Sequence, residues 1–196
     1  MKLSKIIFGM LLVAFATSYV QAQTPKEAIK EMLEQRDKEI KNLLGPKDTE
    51  YTDEQRDKLK DIVNGVIDFR AMAKFALEDT YNTINENERE EFVELFATIV
   101  RDQSLNKLDI YRAKVTYKAV TVEGEKADVS TYAELDDVRT PVNYSMALEG
   151  DKWVITDMII DDVSTAEAYN RQFQRIISKR GFDSLLESLR KRAARA

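Results

Sequence analysis

The chain has 196 residues and a formal net charge of −5, with 43% apolar or aromatic residues and no histidine or cysteine. Without those two residue types, His-based catalytic triads, thiol nucleophiles and the usual zinc sites are excluded. None of the six glycines is spaced as a phosphate-cradling loop, which argues against nucleotide chemistry. The excess of carboxylates repels nucleic acid and anionic membranes, so neither is expected as a direct partner.

The N-terminus has the features of a secretory signal peptide. Two lysines precede a short apolar run at residues 6–16, and Val20-Gln21-Ala22 offers small residues for cleavage. The run is shorter than the roughly 20 residues that a membrane-spanning helix needs. We therefore predict that residues 1–22 are removed and that residues 23–196 form a single exported domain, with no metal or other cofactor.

The first half of the mature chain is predicted to be helical. Four residues able to cap a helix each precede apolar residues at helical spacing. These predicted caps are Thr24, Thr52, Asp68 and Asn85. The first helix is expected to stop at Gly45-Pro46, and two further helices, divided by Gly181, are expected to close the chain.

The middle of the chain is predicted to form strands. Val115, Tyr117 and Ala119 alternate with polar residues, and three more segments with apolar alternation or apolar runs follow up to residue 160. Short turns between successive strands imply antiparallel neighbours. The predicted fold is therefore an α+β domain in which a four-stranded antiparallel meander sheet packs against about six helices.

The most specific pattern lies at residues 153–173. A strand with the pattern W-x-x-x-D-M-x-x-D-x-V-S leads through a capping box, Ser164 with Glu167, into a helix that carries Tyr169 and Phe173. This segment resembles the closing segment of the MlaC/toluene-tolerance family of periplasmic phospholipid-binding proteins.

Two earlier segments extend the resemblance. Residues 61–73 look like the family's I-V-x-x-x-[IV]-D-F-x-x-M-A segment, and residues 88–96 look like its Q-R-x-E-F-x-x-x-F helix. The chain departs from the family at Glu78 and Asp162, where the family usually has glycine, and at Ser104, where a tyrosine is common. The three matching segments occur in the family's order.

The resemblance implies a function and a set of partners. A protein of this family holds phospholipid tails in an apolar cavity between sheet and helices, with the headgroup toward solvent. It moves lipid between the inner and outer membranes and so supports outer-membrane lipid asymmetry. The implied partners are an inner-membrane ABC transporter complex, of which it is an auxiliary component, and an outer-membrane lipoprotein–porin complex. We expect a monomer in the periplasm.

Candidate ligand-binding residues are the large apolar side chains on the inward faces of both sheet and helices. From the residues alone, such a set is either an ordinary core or the lining of a cavity. On the strength of the resemblance we predict that eight of them contact lipid tails. These are Phe69, Met72, Phe96, Tyr117, Tyr144, Met146, Trp153 and Phe173.

Carboxylates near the end of the last long strand are the other candidates. Asp157 lies within an otherwise apolar strand, where an unpaired charge would be costly, so it must have a partner. It could serve as a base in a small α+β enzyme, or it could bond a neighbouring backbone group. Asp161-Asp162 is expected to lie just ahead of a helix start, where negative charge is stabilised. We predict that no residue is catalytic.

Two further questions stay open from the sequence. The protein could carry or chaperone an apolar cargo other than phospholipid. The basic residues of the closing helices could form a solvated face or a docking patch, among them Arg175 and Lys179.

Overall fold

The computed structural model describes residues 23–46, 51–105 and 108–195, without the side chains of residues 102–109. The predicted signal peptide lies outside the described residues. The described chain forms seven α-helices and one 3₁₀ helix, at Leu108–Arg112. The α-helices are α1 (Pro25–Leu44), α2 (Asp53–Asn64), α3 (Phe69–Leu77), α4 (Thr80–Thr83), α5 (Glu86–Leu105), α6 (Thr165–Arg180) and α7 (Phe182–Ala193).

The predicted helix starts are confirmed by their hydrogen bonds. The side chains of Thr24 and Thr52 both form capping boxes, and the Asp68 carboxylate accepts from the backbone N–H of Ala71 at 2.9 Å. Asn85 exchanges side-chain and backbone hydrogen bonds with Glu88. Each cap satisfies backbone N–H groups that the first turn of a helix leaves unpaired.

The sheet is an antiparallel meander in the order β1-β2-β3-β4-β5. Four long strands were predicted, and the fifth is a two-residue addition that forms directly before α6 begins. The strands are β1 (Lys114–Glu123), β2 (Lys126–Leu135), β3 (Val138–Glu149), β4 (Lys152–Ile160) and β5 (Val163–Ser164). The α+β class and the meander are as predicted.

Residues Asp161 and Asp162 lie just ahead of the start of α6, as expected, and they also form a turn. They are the two central residues of the hairpin turn between β4 and β5, with φ angles of 51° and 61°. Positive φ at both positions is the geometry of a type I′ turn, which matches the twist of the flanking strands. The pair is thus a strand-to-strand turn, three residues ahead of the start of α6 at Thr165.

A bulge in β1 changes which of its residues face inward. The pairing with β2 shifts between Tyr117 and Ala119, so that Lys118 is an extra residue. A bulge reverses the alternation of faces beyond it. Ala119, which the alternation in the sequence placed inside, is therefore exposed, and Val120 and Val122 face inward instead.

The outer edge of β4 is closed by the loop before α3. The backbone N–H of Ile155 donates to the carbonyl of Val66 at 2.7 Å, and Ile155 accepts from the N–H of Asp68 at 2.8 Å. Because Asp68 also caps α3, one short segment joins the sheet edge to a helix start. This explains the compact I-V-x-x-V-I-D-F stretch of the sequence, residues 62–69, in structural terms.

Two apolar clusters divide most of the interior. The helical cluster lies among α3, α5, α6 and α7 and is built around Phe92, Phe96 and Phe173. The sheet cluster lies between the inner face of the sheet, the loop at Val66 and α1. Ile67 packs against both clusters, so the loop at the β4 edge is also the boundary between them.

Candidate functional site

The inner face of the sheet is a series of apolar cross-strand rows. One row runs Val122, Ala127, Met146, Ile155 across the four long strands, and the next runs Val120, Val129, Tyr144, Met158. Directly opposed side chains in such rows contact each other and stabilise the sheet. Leu148 and Trp153 form a further pair at the edge of this surface. The first two rows and Trp153 are the floor of the sheet cluster.

Helix α1 covers this floor. Ile29 and Leu33, which are buried, are one turn apart on the same side of α1 and pack into the sheet cluster. The rest of the helix surface is charged and carries ion pairs one turn apart, among them Lys30 with Glu34 at 3.6 Å at the flank where Lys30 also lies over the Tyr117 ring. Such exposed pairs contribute little to stability, so α1 is held to the sheet mainly by its apolar side.

The two ends of α1 are held unequally. At the C-terminal end the Arg112 guanidinium donates to the carbonyls of Leu44, Gly45 and Pro46, and the Gln55 side chain donates to Leu43 at 2.8 Å. Across the described residues, no hydrogen bond joins residues 25–36 to the sheet. The first half of α1 is therefore held to the sheet by the apolar contacts of Ile29 and Leu33 and by the Lys30 ammonium over the Tyr117 ring, without hydrogen bonds.

Two tyrosine hydroxyls lie in this apolar zone. Burial raises the pKa of Tyr144 to about 12, and the Asp37 carboxylate and Tyr111 add to the effect. Burial also raises the pKa of Tyr117, with smaller contributions from Tyr144 and Asp37. Both rings are thus held neutral at any physiological pH, as an apolar ligand site requires.

The helical cluster is packed by rings. Phe96 meets Phe173 edge-on at 5.6 Å between centroids, and Phe92 meets Phe173 edge-on at the same distance. Tyr169 adds an edge-on contact with Phe96 at 4.9 Å. Edge-to-face pairs at these distances add about 0.5–1.5 kcal/mol each beyond area burial. Such a set of rings is a rigid core.

The eight residues predicted from the sequence to contact lipid divide between the two clusters. The four on strands are brought together in the sheet cluster: Tyr117, Tyr144, Met146 and Trp153. The four on helices are buried together in the helical cluster: Phe69, Met72, Phe96 and Phe173. Four of the predicted residues thus share one surface beneath α1, and the other four are separated from it by the Ile67 boundary.

Residues beneath α1 that the prediction left out can be explained. Val120 and Val122 were missed because the bulge at Lys118 reverses the alternation, which no simple period-two reading detects. Ile29 and Leu33 belong to the apolar residues at helical spacing after Thr24, but nothing local in the sequence says that they cover the sheet. Met158 lies on the inner face of β4 and is not among the eight predicted residues.

Asp157 has two structural partners. Its Oδ1 accepts from the backbone N–H of Ala166 at 2.9 Å, and its Oδ2 accepts from the Ser164 hydroxyl at 2.5 Å. The Ser164 oxygen in turn accepts from the N–H of Glu167, so the carboxylate anchors the first turn of α6. The expected backbone partner is confirmed. Both oxygens are engaged, which leaves Asp157 poorly suited to remove a proton from a ligand.

Outside the zone between α1 and the sheet, the described part of the chain gives weaker evidence of a ligand or metal site. An open depression of about 570 Å³ lies between α1 and α2, near Leu43 and Ile62, outside the zone between α1 and the sheet. In the described part of the chain, no group of three or more acidic residues could hold a metal ion. Nor does any helix of that part have the length and apolar character to cross a membrane.

An apolar sheet face covered by one helix, whose first half makes no hydrogen bond to it among the described residues, is typical of a ligand-binding domain. The chain matches the family described as MlaC protein over residues 23–191, and it belongs to that family. No curated protein matches it.

A solved structure supports the same fold. The protein is similar to a phospholipid-binding protein from Ralstonia solanacearum, determined in complex with a phospholipid. The two share 17% sequence identity with a TM-score of 0.73, and the match covers 88% of this chain and 98% of the other. At this identity the likeness establishes the α+β fold.

Proposed function

We propose that this protein is a periplasmic phospholipid carrier that moves lipid between the inner and outer membranes. The observation that carries the proposal is the apolar inner face of the sheet, closed by a helix whose first half is held mainly by apolar contacts. Membership of the MlaC family and the phospholipid-bound structural neighbour support the choice of ligand.

The tails are proposed to occupy the space between α1 and the sheet. Four of the predicted residues, Tyr117, Tyr144, Met146 and Trp153, are then the contacts, together with neighbours in the same rows. The unbranched thioethers of Met146 and Met158 adapt to tails of different length. The four predicted residues of the helical cluster support this site from behind its boundary without touching lipid.

Dimensions and energies fit such a ligand. Along β3 the inner face extends from Val138 to Met146, eight residue steps or about 27 Å. One leaflet of a bilayer is about 15 Å of hydrocarbon, so a tail fits along this face. Burying two 16-carbon tails is worth roughly 20–25 kcal/mol gross, and a bilayer gives nearly the same. Exchange between bilayer and protein is therefore close to balanced, as a shuttle requires.

Charge supports delivery through protein partners. The mature chain carries 28 lysines and arginines against 35 carboxylates, a net charge of −7, so bare anionic bilayers repel it. We propose that it loads and unloads by docking to an inner-membrane ABC transporter complex and an outer-membrane lipoprotein–porin complex. Cleavage after Ala22 would deliver it to the periplasm, and no residue is proposed to be catalytic.

The ligand can be tested with the protein as purified. Organic-solvent extraction followed by mass spectrometry should recover phospholipid in stoichiometric amount. Trp153 is the only tryptophan of the chain and lies in the sheet cluster, so its fluorescence reports on that site alone. Phospholipid with brominated acyl chains should quench it, and the same phospholipid without bromine should not.

Three outcomes would contradict the proposal. Recovery of another apolar molecule would make the protein a carrier of different cargo. Recovery of a chemically altered lipid that disappears in an Asp157→Asn variant would indicate an enzyme. Bound brominated lipid that leaves Trp153 unquenched would place the ligand outside the sheet cluster.

A further inference from the structure

One part of the sheet's inner face is apolar but exposed. Val142 and Ile160 are paired across β3 and β4 in the row after Tyr144 and Met158, and Ile160 is paired in turn with Val163 of β5. Ile160 is 45% exposed and Val163 is 54% exposed. Val138, 64% exposed, lies on the same face four residues before Val142. We name these four residues the open corner.

The open corner continues the covered surface. Successive inward residues on a strand are about 7 Å apart, so Val142 and Ile160 lie one row from Tyr144 and Met158. Tyr144 lies near Asp37 of α1 and Tyr111, whereas the next row is exposed at its Ile160 end, with Val142 half-buried. The apolar surface therefore passes from solvent at Ile160 and Val163 to the space beneath α1 without a polar interruption on β4, whereas on β3 Thr140 separates Val138 from Val142.

A large exposed apolar surface is costly unless something occupies it, and isolated exposed valines elsewhere would need no explanation. Here Ile160 and Val163 are exposed neighbours, and they share a face with the half-buried Val142 and the proposed lipid site. An acyl chain can exchange the water-exposed corner for the covered floor while staying in apolar contact at every step. A route through the helical cluster would instead require separating interlocked rings such as Phe96 and Phe173.

We propose that the open corner is the entrance through which acyl chains pass to reach the space between α1 and the sheet. This inference rests on the proposed function and adds the side of entry. Tyr144 and Met158 form the inner limit of the entrance, where α1 must lift from the sheet near Asp37 to admit a tail. The covered floor determines how much lipid is bound at equilibrium, and the open corner determines how fast lipid enters.

The test uses delipidated full-length mature protein mixed with neutral vesicles that contain phospholipid with brominated acyl chains, with Trp153 quenching followed in time. The variant is Val163→Glu, at a side chain already exposed. Loss of apolar contact along the route should slow quenching roughly tenfold, with the final quenching unchanged. Phe75→Glu is the matched control, since Phe75 is 54% exposed on α3 and lies outside the sheet; it should load at the wild-type rate.

Each of the following results would contradict the proposal that the open corner is the entrance. If wild type is quenched and Val163→Glu is quenched at the same rate, the carrier function stands and the entrance lies elsewhere. If the folded variant never loads, the corner holds lipid rather than passing it. If wild type is a dimer by light scattering and the variant a monomer, a second copy covers the corner. If wild type is never quenched although the purified protein yields phospholipid on extraction, the corner does not admit tails and the entrance fails alone; if the purified protein also yields no phospholipid, the proposed function fails with it.

Discussion

The helical cluster and the sheet cluster bury apolar side chains in two different ways. In the helical cluster, aromatic rings from α5 and α6 meet edge-on, and Phe92 and Phe96 are fully buried. In the sheet cluster, aliphatic and methionine side chains with two tyrosines lie under one helix, α1, whose first half makes no hydrogen bond with the sheet among the described residues. Interlocked rings resist insertion of a ligand, whereas a surface covered by one separable helix can open.

The difference shows that burial alone does not identify a ligand site. Met72 and Met146 are 0% and 2% exposed, and both were predicted to contact lipid. What distinguishes them is the element that covers each one. Met72 is enclosed by helices tied to one another, for example through Gln174, which donates to the carbonyls of Ala76 and Leu77. Met146 is covered by α1.

The largest effect is expected from Phe96→Ala. The truncation removes ring contacts with Phe92, Phe173 and Tyr169 and leaves a cavity, so the free energy of unfolding should fall by about 3–5 kcal/mol. Denaturant titration measures this loss. Lipid bound per folded molecule should not change. A loss of bound lipid larger than the unfolded fraction explains would indicate that Phe96 contacts the ligand.

The same substitution at two methionines compares the clusters directly. Met146→Trp should cost about 1–3 kcal/mol and should lower co-purified lipid, because α1 can shift outward while the added ring occupies the ligand space. The helices around Met72 cannot shift in this way, so Met72→Trp should lower the free energy of unfolding further. The lipid bound per folded molecule should be unchanged. The measurements are denaturant titration and mass spectrometry of the extracted lipid. Equal loss of fold and of lipid at Met146 would make it an ordinary core residue.

Much of the fold could be predicted because its signals are local. Helix caps at Thr24, Thr52 and Ser164 are visible in a few residues each, and the strands are marked by alternation and short turns. The division of the interior could not be predicted. Phe173 and Trp153 both lie on inward faces, but which face meets which depends on contacts between segments far apart in the chain, such as α1 with β1.

The third prediction concerns the helix cap of α6, which lies outside both clusters. Asp157→Asn removes the charge that accepts from Ala166 and Ser164, and it should cost about 1–2 kcal/mol of unfolding free energy. Lipid bound per folded molecule should stay the same. Asp128→Asn is the matched control, since this exposed carboxylate accepts only from the Ser145 hydroxyl, at 3.1 Å, and should cost less than about 0.5 kcal/mol. Equal costs would mean that the Asp157 cap contributes nothing special.

A fourth prediction uses pH to probe the sheet cluster. Because burial raises the pKa of Tyr144 to about 12, the unfolded chain loses this proton from about pH 10 and the folded chain does not. The stability contributed by the neutral ring is therefore full below pH 10 and decreases as pH rises, by about 1 kcal/mol between pH 10 and 11. Tyr144→Phe should flatten this decrease, measured by denaturant titration at each pH. Tyr132→Phe, on the opposite face of the sheet, is the control, and an equal flattening there would contradict the assignment.

The smallest effect is expected at the turn that borders the open corner. Asp162 has a φ of 61°, where a side chain is disfavoured, and the related family usually has glycine at this position. Asp162→Gly should therefore raise the free energy of unfolding by about 0.5–1 kcal/mol. Glu78 provides the comparison in the helical region: its φ is 50°, but its carboxylate accepts from the Asn170 amide at 2.9 Å. Glu78→Gly relieves the backbone and loses that hydrogen bond, so its gain should be smaller. A larger gain at Glu78 than at Asp162, by denaturant titration of the two variants, would show that the side-chain bond does not offset the backbone conformation.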